Sequence, residues 1–148
     1  MRERLTRGKR TNNDEGEFVY GIPVEGEPLL GMGKETYIIT KPGVQWVDGV
    51  YMTYDECIEV DPKTVGDYTG LTDRNNKMIF EGDIVNFQNN DGEYSPYEVK
   101  WRNSGFLVLM NGKPELSDEL DDFFCRHCHV IGNIYDNPEL LDNAKIPS

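Results

Sequence analysis

The chain is poor in alanine, in cysteine and in long apolar runs. Its 148 residues include one alanine, Ala144, and three cysteines. Because surface helices rely on alanine for their propensity, this shortage argues against a helical protein. Three cysteines are too sparse, and odd in number, for a disulfide framework, which favours a reducing compartment. No run approaches the roughly 20 apolar residues of a membrane span, and no apolar segment typical of a secretory signal follows the N-terminus, so we expect a cytoplasmic protein.

Positive charge is also scarce, and it is unevenly placed. Lys and Arg number 15 against 27 Asp and Glu, which gives a formal net charge of −12. Residues 1–10 carry a net charge of +4, and the rest of the chain carries −16. An acidic body repels the phosphate backbone that a nucleic-acid-binding protein must neutralise, so a nucleic-acid partner is disfavoured. We interpret the basic segment as a strand edge or a frayed start rather than as a nucleic-acid arm.

The N-terminal half contains short strand patterns separated by turn residues. Residues 4–10 and 17–22 are expected to pair as a hairpin across a polar turn. A β-branched and aromatic strand over 36–40 is expected to end at the Pro-Gly pair of 42–43. The Asp-Gly pair at 48–49 predicts a second hairpin turn. This half of the chain therefore reads as a β region.

Residues 66–135 contain five or six short strand patterns with tight turns between them. Such a series predicts a small closed β-barrel, since closure removes the strand edges that template aggregation. Asn75 and Asn76 predict a tight reversal, because asparagine tolerates a positive φ. Gly82 suits a sharp corner at the entry to a buried strand. As a fold class we expect a mainly β protein with one or two short helices.

The best helix pattern covers Leu116–Phe124, where Ser117 is the expected cap. A strand is predicted to follow over His129–Tyr135, and one closing helical turn over 138–141. A calcium loop would need alternating ligands, a glycine turn and a distal glutamate, which this part of the chain does not supply. We interpret its dense carboxylate run as a solvated helix face made of Asp118, Glu119, Asp121 and Asp122.

Two long segments of the sequence are distinctive, VGDYTGLTDRNNKMIFEGDIV at 65–85 and VIGNIYDNPELL at 130–141. Both resemble segments of the YopX-like family of phage and prophage proteins. Residues 7–10 with 17–21 look like the first hairpin of that family, and residues 60–65 look like its approach to the core motif. Asn76 departs from the family pattern, which often has glycine there.

The resemblance implies an SH3-like barrel over residues 65–138, after an N-terminal β-hairpin and sheet region over 1–64. Residues 139–148 are then a short helical turn and tail. It also implies a virus-derived product that works in a bacterial cytoplasm. The family brings no established activity and no site residues, so the resemblance informs origin and fold but not chemistry.

The segment at 125–129 is the only part of the chain with a density of metal-binding residue types. Its C-x-x-C-H pattern matches haem attachment, but that chemistry needs export, which nothing here signals. A zinc site is the better candidate, with Cys125, Cys128, His129 or His127, and Cys57 as weak candidate ligands. If a strand extends back to Cys125, however, the two neighbouring cysteines point to opposite faces. We therefore expect no metal site and no cofactor.

Catalytic patterns are equally sparse. There is no G-x-S-x-G nucleophile elbow. The glycines near Lys34 lack the spacing and the following hydroxyl of a phosphate-binding loop. The two histidines, His127 and His129, are sequence neighbours of the cysteines, whereas a Cys–His pair normally meets from separate segments. We expect that the protein is not an enzyme.

Three functional hypotheses remain. The first is a non-enzymatic protein-interaction module with an unidentified protein partner or a second copy of itself, and with no membrane association. The second is an acidic mimic of DNA that inhibits a host DNA-binding enzyme. DNA carries one charge per roughly 1.7 Å, so twelve charges match only about 20 Å of duplex, which is short for a domain of this size. The third is a zinc-binding protein centred on residues 125–129.

Overall fold

Antiparallel β-strands make up most of the molecule, and the prediction of a mainly β protein is confirmed. The structure is a computed structural model that describes residues 5–11, 17–26, 35–47, 50–102 and 105–142. The chain divides into two compact units, Met1–Asp67 and Tyr68–Ser148. The domain limits of 1–64, 65–138 and 139–148 stay predictions. Within the described ranges, no helix has the length and apolar character needed to cross a membrane.

The first unit is an antiparallel sheet. Its strands have the spatial order β4-β3-β2-β1-β5, and the last of them, β5, continues into the second unit. A 3-10 turn at Pro62–Thr64 precedes β5. The strands are β1 (Thr6–Lys9), β2 (Phe18–Gly26), β3 (Glu35–Val47), β4 (Val50–Val60) and β5 (Gly66–Thr72).

The first predicted hairpin is confirmed, because β1 pairs antiparallel with β2 and places Arg7 opposite Tyr20. The second is confirmed in its strands, since β3 and β4 pair up to Val47 opposite Val50. The Asp-Gly turn itself, at 48–49, lies outside the described residues. Each hairpin joins two strand patterns that are close together in the sequence, which is why the pattern predicts them.

The predicted strand end at 42–43 is wrong, because β3 continues through Pro42 and Gly43 as far as Val47. The pairing explains this. Strand β2 pairs with β3 only over Glu35–Ile39, whereas the later half of β3 pairs with β4 alone in the described ladder. Proline has no N–H group to donate to a ladder, so a strand tolerates it where one side of the strand has no neighbouring strand.

The second unit contains a five-stranded antiparallel sheet with the order β10-β9-β8-β7-β11. Strand β5 pairs separately with β6 (Met78–Phe80). Among the described pairings β10 and β11 form the two edges, and none of them closes this sheet into a barrel. Its strands are β7 (Asp83–Gln88), β8 (Tyr94–Arg102), β9 (Gly105–Met110), β10 (Ser117–Glu119) and β11 (Cys128–Asn133).

The long helix predicted over Leu116–Phe124 is wrong. A 3-10 turn at Pro114–Leu116 leads into β10, and the only α-helix in the described chain is the short α1 (Asp122–Arg126). Its cap is Asp121, whose carboxylate accepts a hydrogen bond from the backbone N–H of Phe124 at 2.8 Å. Pairing of β10 with β9 overrides the helical propensity of this segment, as tertiary contacts commonly do.

The predicted reversal at 75–76 is confirmed, because Asn76 has a φ of 64° and its N–H bonds to the carbonyl of Asp73 at 3.0 Å. The predicted strand over His129–Tyr135 is shorter than expected. It ends at Asn133, whose side-chain oxygen accepts the N–H groups of Tyr135 and Asp136 at 3.0 and 2.9 Å. An asparagine that bonds the backbone two residues ahead starts a turn and stops the ladder.

One apolar core fills the inner face of this sheet, and α1 packs against it. Leu120 links the acidic stretch to this core. The Leu120 side chain is buried, and the Leu120 N–H donates a hydrogen bond to the carbonyl oxygen of Phe106. The buried members are Ile79, Val85, Tyr97, Val99, Val108, Leu120, Phe124, Cys125 and Cys128.

Candidate functional site

The two cysteines of the predicted zinc segment lie in the apolar core. Cys125 is on α1, and Cys128 begins β11. The end of the helix at His127 lies between them, so no continuous strand joins the two cysteines. The Cys128 thiol lies 3.8 Å from the carbonyl oxygen of Cys125, which accepts its weak hydrogen bond. Both side chains are buried as small apolar groups.

Burial keeps both thiols protonated. Desolvation, with a smaller contribution from Asp122, Asp121 and Asp73, raises the pKa of Cys125 to about 11. Desolvation, with Cys125 and Asp73 adding to it, raises the pKa of Cys128 to about 12. Metal ligation and nucleophilic attack both require the thiolate. These two cysteines are therefore poorly suited to act as nucleophiles at neutral pH.

The remaining candidate ligands do not converge on the thiols. His129 is next to Cys128 on β11 and so faces the opposite side of the strand, where its ring lies 6.0 Å from that of Tyr94. His127 is exposed, and its Nδ1 donates to the Phe123 carbonyl oxygen at 2.8 Å. Cys57 lies on β4, and its side chain is outside the described set. In the described part of the chain, no three His, Cys, Asp or Glu side chains are grouped to hold a metal ion.

The long family-like segments have a structural role that sequence reasoning missed. Asp73 is buried, and its Oδ1 accepts the N–H groups of Asn75 and Lys77 at 2.8 and 2.9 Å. Its Oδ2 accepts the N–H of Val130 at 2.8 Å. The first long segment is thus tied to the second by one carboxylate. A sequence pattern could have indicated this role. Residues 73–77 have the pattern Asp-x-Asn-Asn-x, which is typical of a turn in which the aspartate side chain accepts hydrogen bonds from nearby backbone N–H groups.

The most exposed stretch of the second unit runs along β10 to the start of α1. We call it the β10–α1 surface and define it as the side chains of residues 115–119 and 121–123, all of which are exposed. Leu116 is 44% exposed and Phe123 is 58% exposed, so two large apolar side chains of this stretch are open to solvent. Leu120, between them, is buried and anchors the stretch to the core. The sequence did not reveal this surface, since a helix would have turned these apolar side chains inward.

Five carboxylates accompany those two apolar side chains. Arg126 pairs with Asp122 at 2.6 Å, but both side chains are well exposed, so water screens the pair. Lys113 is the nearest exposed cation before the surface in sequence. The carboxylates therefore outnumber the cations that accompany them. They are Glu115, Asp118, Glu119, Asp121 and Asp122.

Comparisons with known proteins found a matching family and a similar solved structure. A family model described as YopX protein matches residues 32–142. The search of curated proteins found no match. Among solved structures, the crystal structure of protein EF1440 from Enterococcus faecalis is similar with a TM-score of 0.61 and 21% sequence identity. The similarity covers 95% of this chain and 99% of that one, and it shows a shared fold.

Proposed function

The chain belongs to the YopX protein family, and on that premise we propose that it is a non-enzymatic protein-interaction module of a phage or prophage, acting in the bacterial cytoplasm. The β10–α1 surface carries this proposal. It presents Leu116 and Phe123 to solvent beside an edge strand. Exposed apolar side chains grouped among polar ones are typical of interaction sites, and aromatic residues are enriched at interface centres.

The buried thiols support the non-enzymatic part of the proposal. Cysteine is the residue type here with the greatest intrinsic nucleophilicity, and Cys125 and Cys128 are both enclosed in the core with raised pKa values. A reactive cysteine sits instead in a partly exposed, electropositive environment. The carboxylates near Cys125 give the opposite field.

The strand order supports an SH3-like barrel as the finer description of the second unit. Strands β7 to β10 form a meander, and β11 returns to pair with β7. A four-stranded meander whose first strand also takes the fifth is the topology of SH3-like barrels. Small barrels of this kind bind partners along grooves and edges, which fits a surface at the β10 edge.

Affinity capture from host cells tests the proposed function. The wild-type protein is expected to retain a defined host protein that Phe123→Ala loses. Met78→Ala is the matched control, because Met78 is also an exposed apolar side chain of the second unit but lies outside the β10–α1 surface. Equal recovery with all three proteins, or turnover of a small molecule by the wild type, would contradict the proposal.

A DNA mimic is the second candidate, and the five carboxylates within residues 115–122 are the observation that favours it. Such a protein competes with DNA for its partner. In the same capture, short duplex DNA would then release the retained protein, and that protein would be a DNA-binding enzyme. Retention that is unaffected by DNA favours the interaction module instead.

A further inference from the structure

We propose that the β10–α1 surface binds a basic partner segment through side-chain contacts, and that its edge strand disfavours strand addition. The inference rests on the proposed function and specifies the chemistry of the partner. Two features of the surface carry it: the hydrogen bonding of the β10 backbone, and the apolar anchors that stand among carboxylates.

The ladder shows which β10 backbone groups face away from the sheet. The N–H of Leu120 bonds to the carbonyl of Phe106, so Leu120 and Phe106 form a hydrogen-bonded pair. In an antiparallel ladder such pairs alternate with non-bonded ones. Glu119, opposite Leu107, is therefore in a non-bonded pair, and its N–H points away from β9.

That outward N–H is already occupied. The Oδ1 of Asp118 accepts a hydrogen bond from the Glu119 N–H at 2.8 Å. An incoming strand would have to displace this charged acceptor before it could pair with the edge. Native sheets protect their edges with short strands and charged side chains, and β10 has both, with three residues of which two are acidic. Strand addition is thus the disfavoured mode of binding here.

Charge and exposed apolar area define the partner instead. Five exposed carboxylates accompany Leu116 and Phe123 within residues 115–123, and the chain as a whole carries −12. A second copy of this chain would bring the same negative charge, which opposes self-association. A segment with Lys or Arg alternating with apolar side chains complements both features, since its cations meet the carboxylates and its apolar groups cover Leu116 and Phe123.

A synthetic peptide tests this directly. The probe alternates Lys and Leu over seven residues, and its binding to the full-length protein is followed by NMR chemical-shift changes and by fluorescence anisotropy. Two further versions carry N-methyl groups on the odd or on the even backbone nitrogens, which prevents strand pairing. All three are expected to bind with similar affinity and to shift the β10 and α1 resonances, whereas a Glu-Leu peptide does not bind.

Variants of Asp118 separate charge from edge protection. Asp118→Asn keeps an acceptor for the Glu119 N–H but removes the charge, and Asp118→Ala removes both. Glu119→Gln removes a neighbouring charge but leaves Asp118 as the acceptor for the backbone N–H of residue 119. We expect all three to weaken binding about two- to fivefold, as the loss of one exposed ion pair does. Phe123→Ala is expected to weaken it about fivefold or more, as an interface anchor does.

Several outcomes overturn the inference. Tighter binding by Asp118→Ala, or loss of binding by either N-methylated peptide, would show strand addition. Absence of binding by every Lys-Leu peptide would exclude a basic partner. If the wild-type protein were a dimer and Phe123→Ala were a monomer, this face would be a contact between copies of the chain. Failure of the proposed function is distinguishable, because host capture would then return no Phe123-dependent protein even though the peptides bind.

Discussion

The carboxylate of Asp73 accepts a hydrogen bond from the backbone N–H of Val130 at 2.8 Å, across 57 residues of sequence. The same side chain also caps the reversal that precedes β6. One buried acid therefore fixes a local turn and a long-range register together. Such a residue is expected to matter for stability far more than the surface acids that surround it.

Replacing Asp73 by Ala should lower the free energy of unfolding by about 3 kcal/mol or more, because three backbone N–H groups lose a charged acceptor. Asp73→Asn should cost less, since one acceptor oxygen remains. Urea denaturation followed by tryptophan fluorescence measures both. Asp91 is an exposed acid in another turn, and Asp91→Ala should change stability by less than about 0.5 kcal/mol. Equal effects at both positions would refute the role of Asp73.

Gly82 should tolerate no side chain. Its φ is +93°, and an added Cβ would lie 3.1 Å from the Tyr135 ring, so the two family-like segments meet at this corner. Gly82→Ala is expected to destabilise the protein by about 1–3 kcal/mol, from backbone strain and the close contact. Gly105→Ala is the control, since nothing lies within 4 Å of its Cβ position. Thermal melting of the two variants should differ clearly.

Alkaline pH should destabilise the protein through its buried thiols. Burial raises the pKa of Cys125 to about 11 and that of Cys128 to about 12, from 9.0. Above pH 9 the unfolded chain loses these protons while the folded chain keeps them, so the free energy of unfolding falls as pH rises from about 9 to about 12. Urea midpoints measured across that range should show the fall. The fall should be shallower in Cys128→Ala, and an identical slope in both proteins would contradict the assignment.

Asn86 should be replaceable by leucine with a gain in stability. Its side chain is 1% exposed, and its Oδ1 has no hydrogen-bond partner in the described structure. Because a buried amide oxygen without a partner is costly, Asn86→Leu is expected to raise the free energy of unfolding by about 1–2 kcal/mol. Asn89→Leu should lower it, since the Asn89 oxygen accepts the N–H groups of Asp91 and Glu93. Denaturant unfolding that shows a loss for Asn86→Leu would overturn this expectation.

The parts of the fold that the sequence predicted correctly are those with local causes. The Asn75-Asn76 reversal follows from residue types that favour a particular φ or that bond their own backbone. The first hairpin follows from two strand patterns that are close together in the sequence. The shortage of alanine correctly indicated a β protein, because propensity summed over a whole chain is informative even when single positions are not.

The errors occur where a segment distant in the sequence determines the local secondary structure. Residues 116–124 have helical spacing, but pairing with β9 pulls residues 117–119 into an edge strand and leaves a five-residue helix. Pro42 ends strands in general, yet it is accepted because that part of β3 pairs on one side only. Neither partner can be read from the residues concerned.

By itself, the sequence determined the fold class, the family and the absence of an obvious catalytic pattern, since all three depend on composition and on contiguous motifs. Only the tertiary structure decided which of the candidate functional side chains are buried and which are exposed. It placed Cys125 and Cys128 in the core and turned Leu116 and Phe123 toward solvent. Burial sets both the charge state of a thiol and the accessibility of an apolar side chain, and burial depends on which segments pack together.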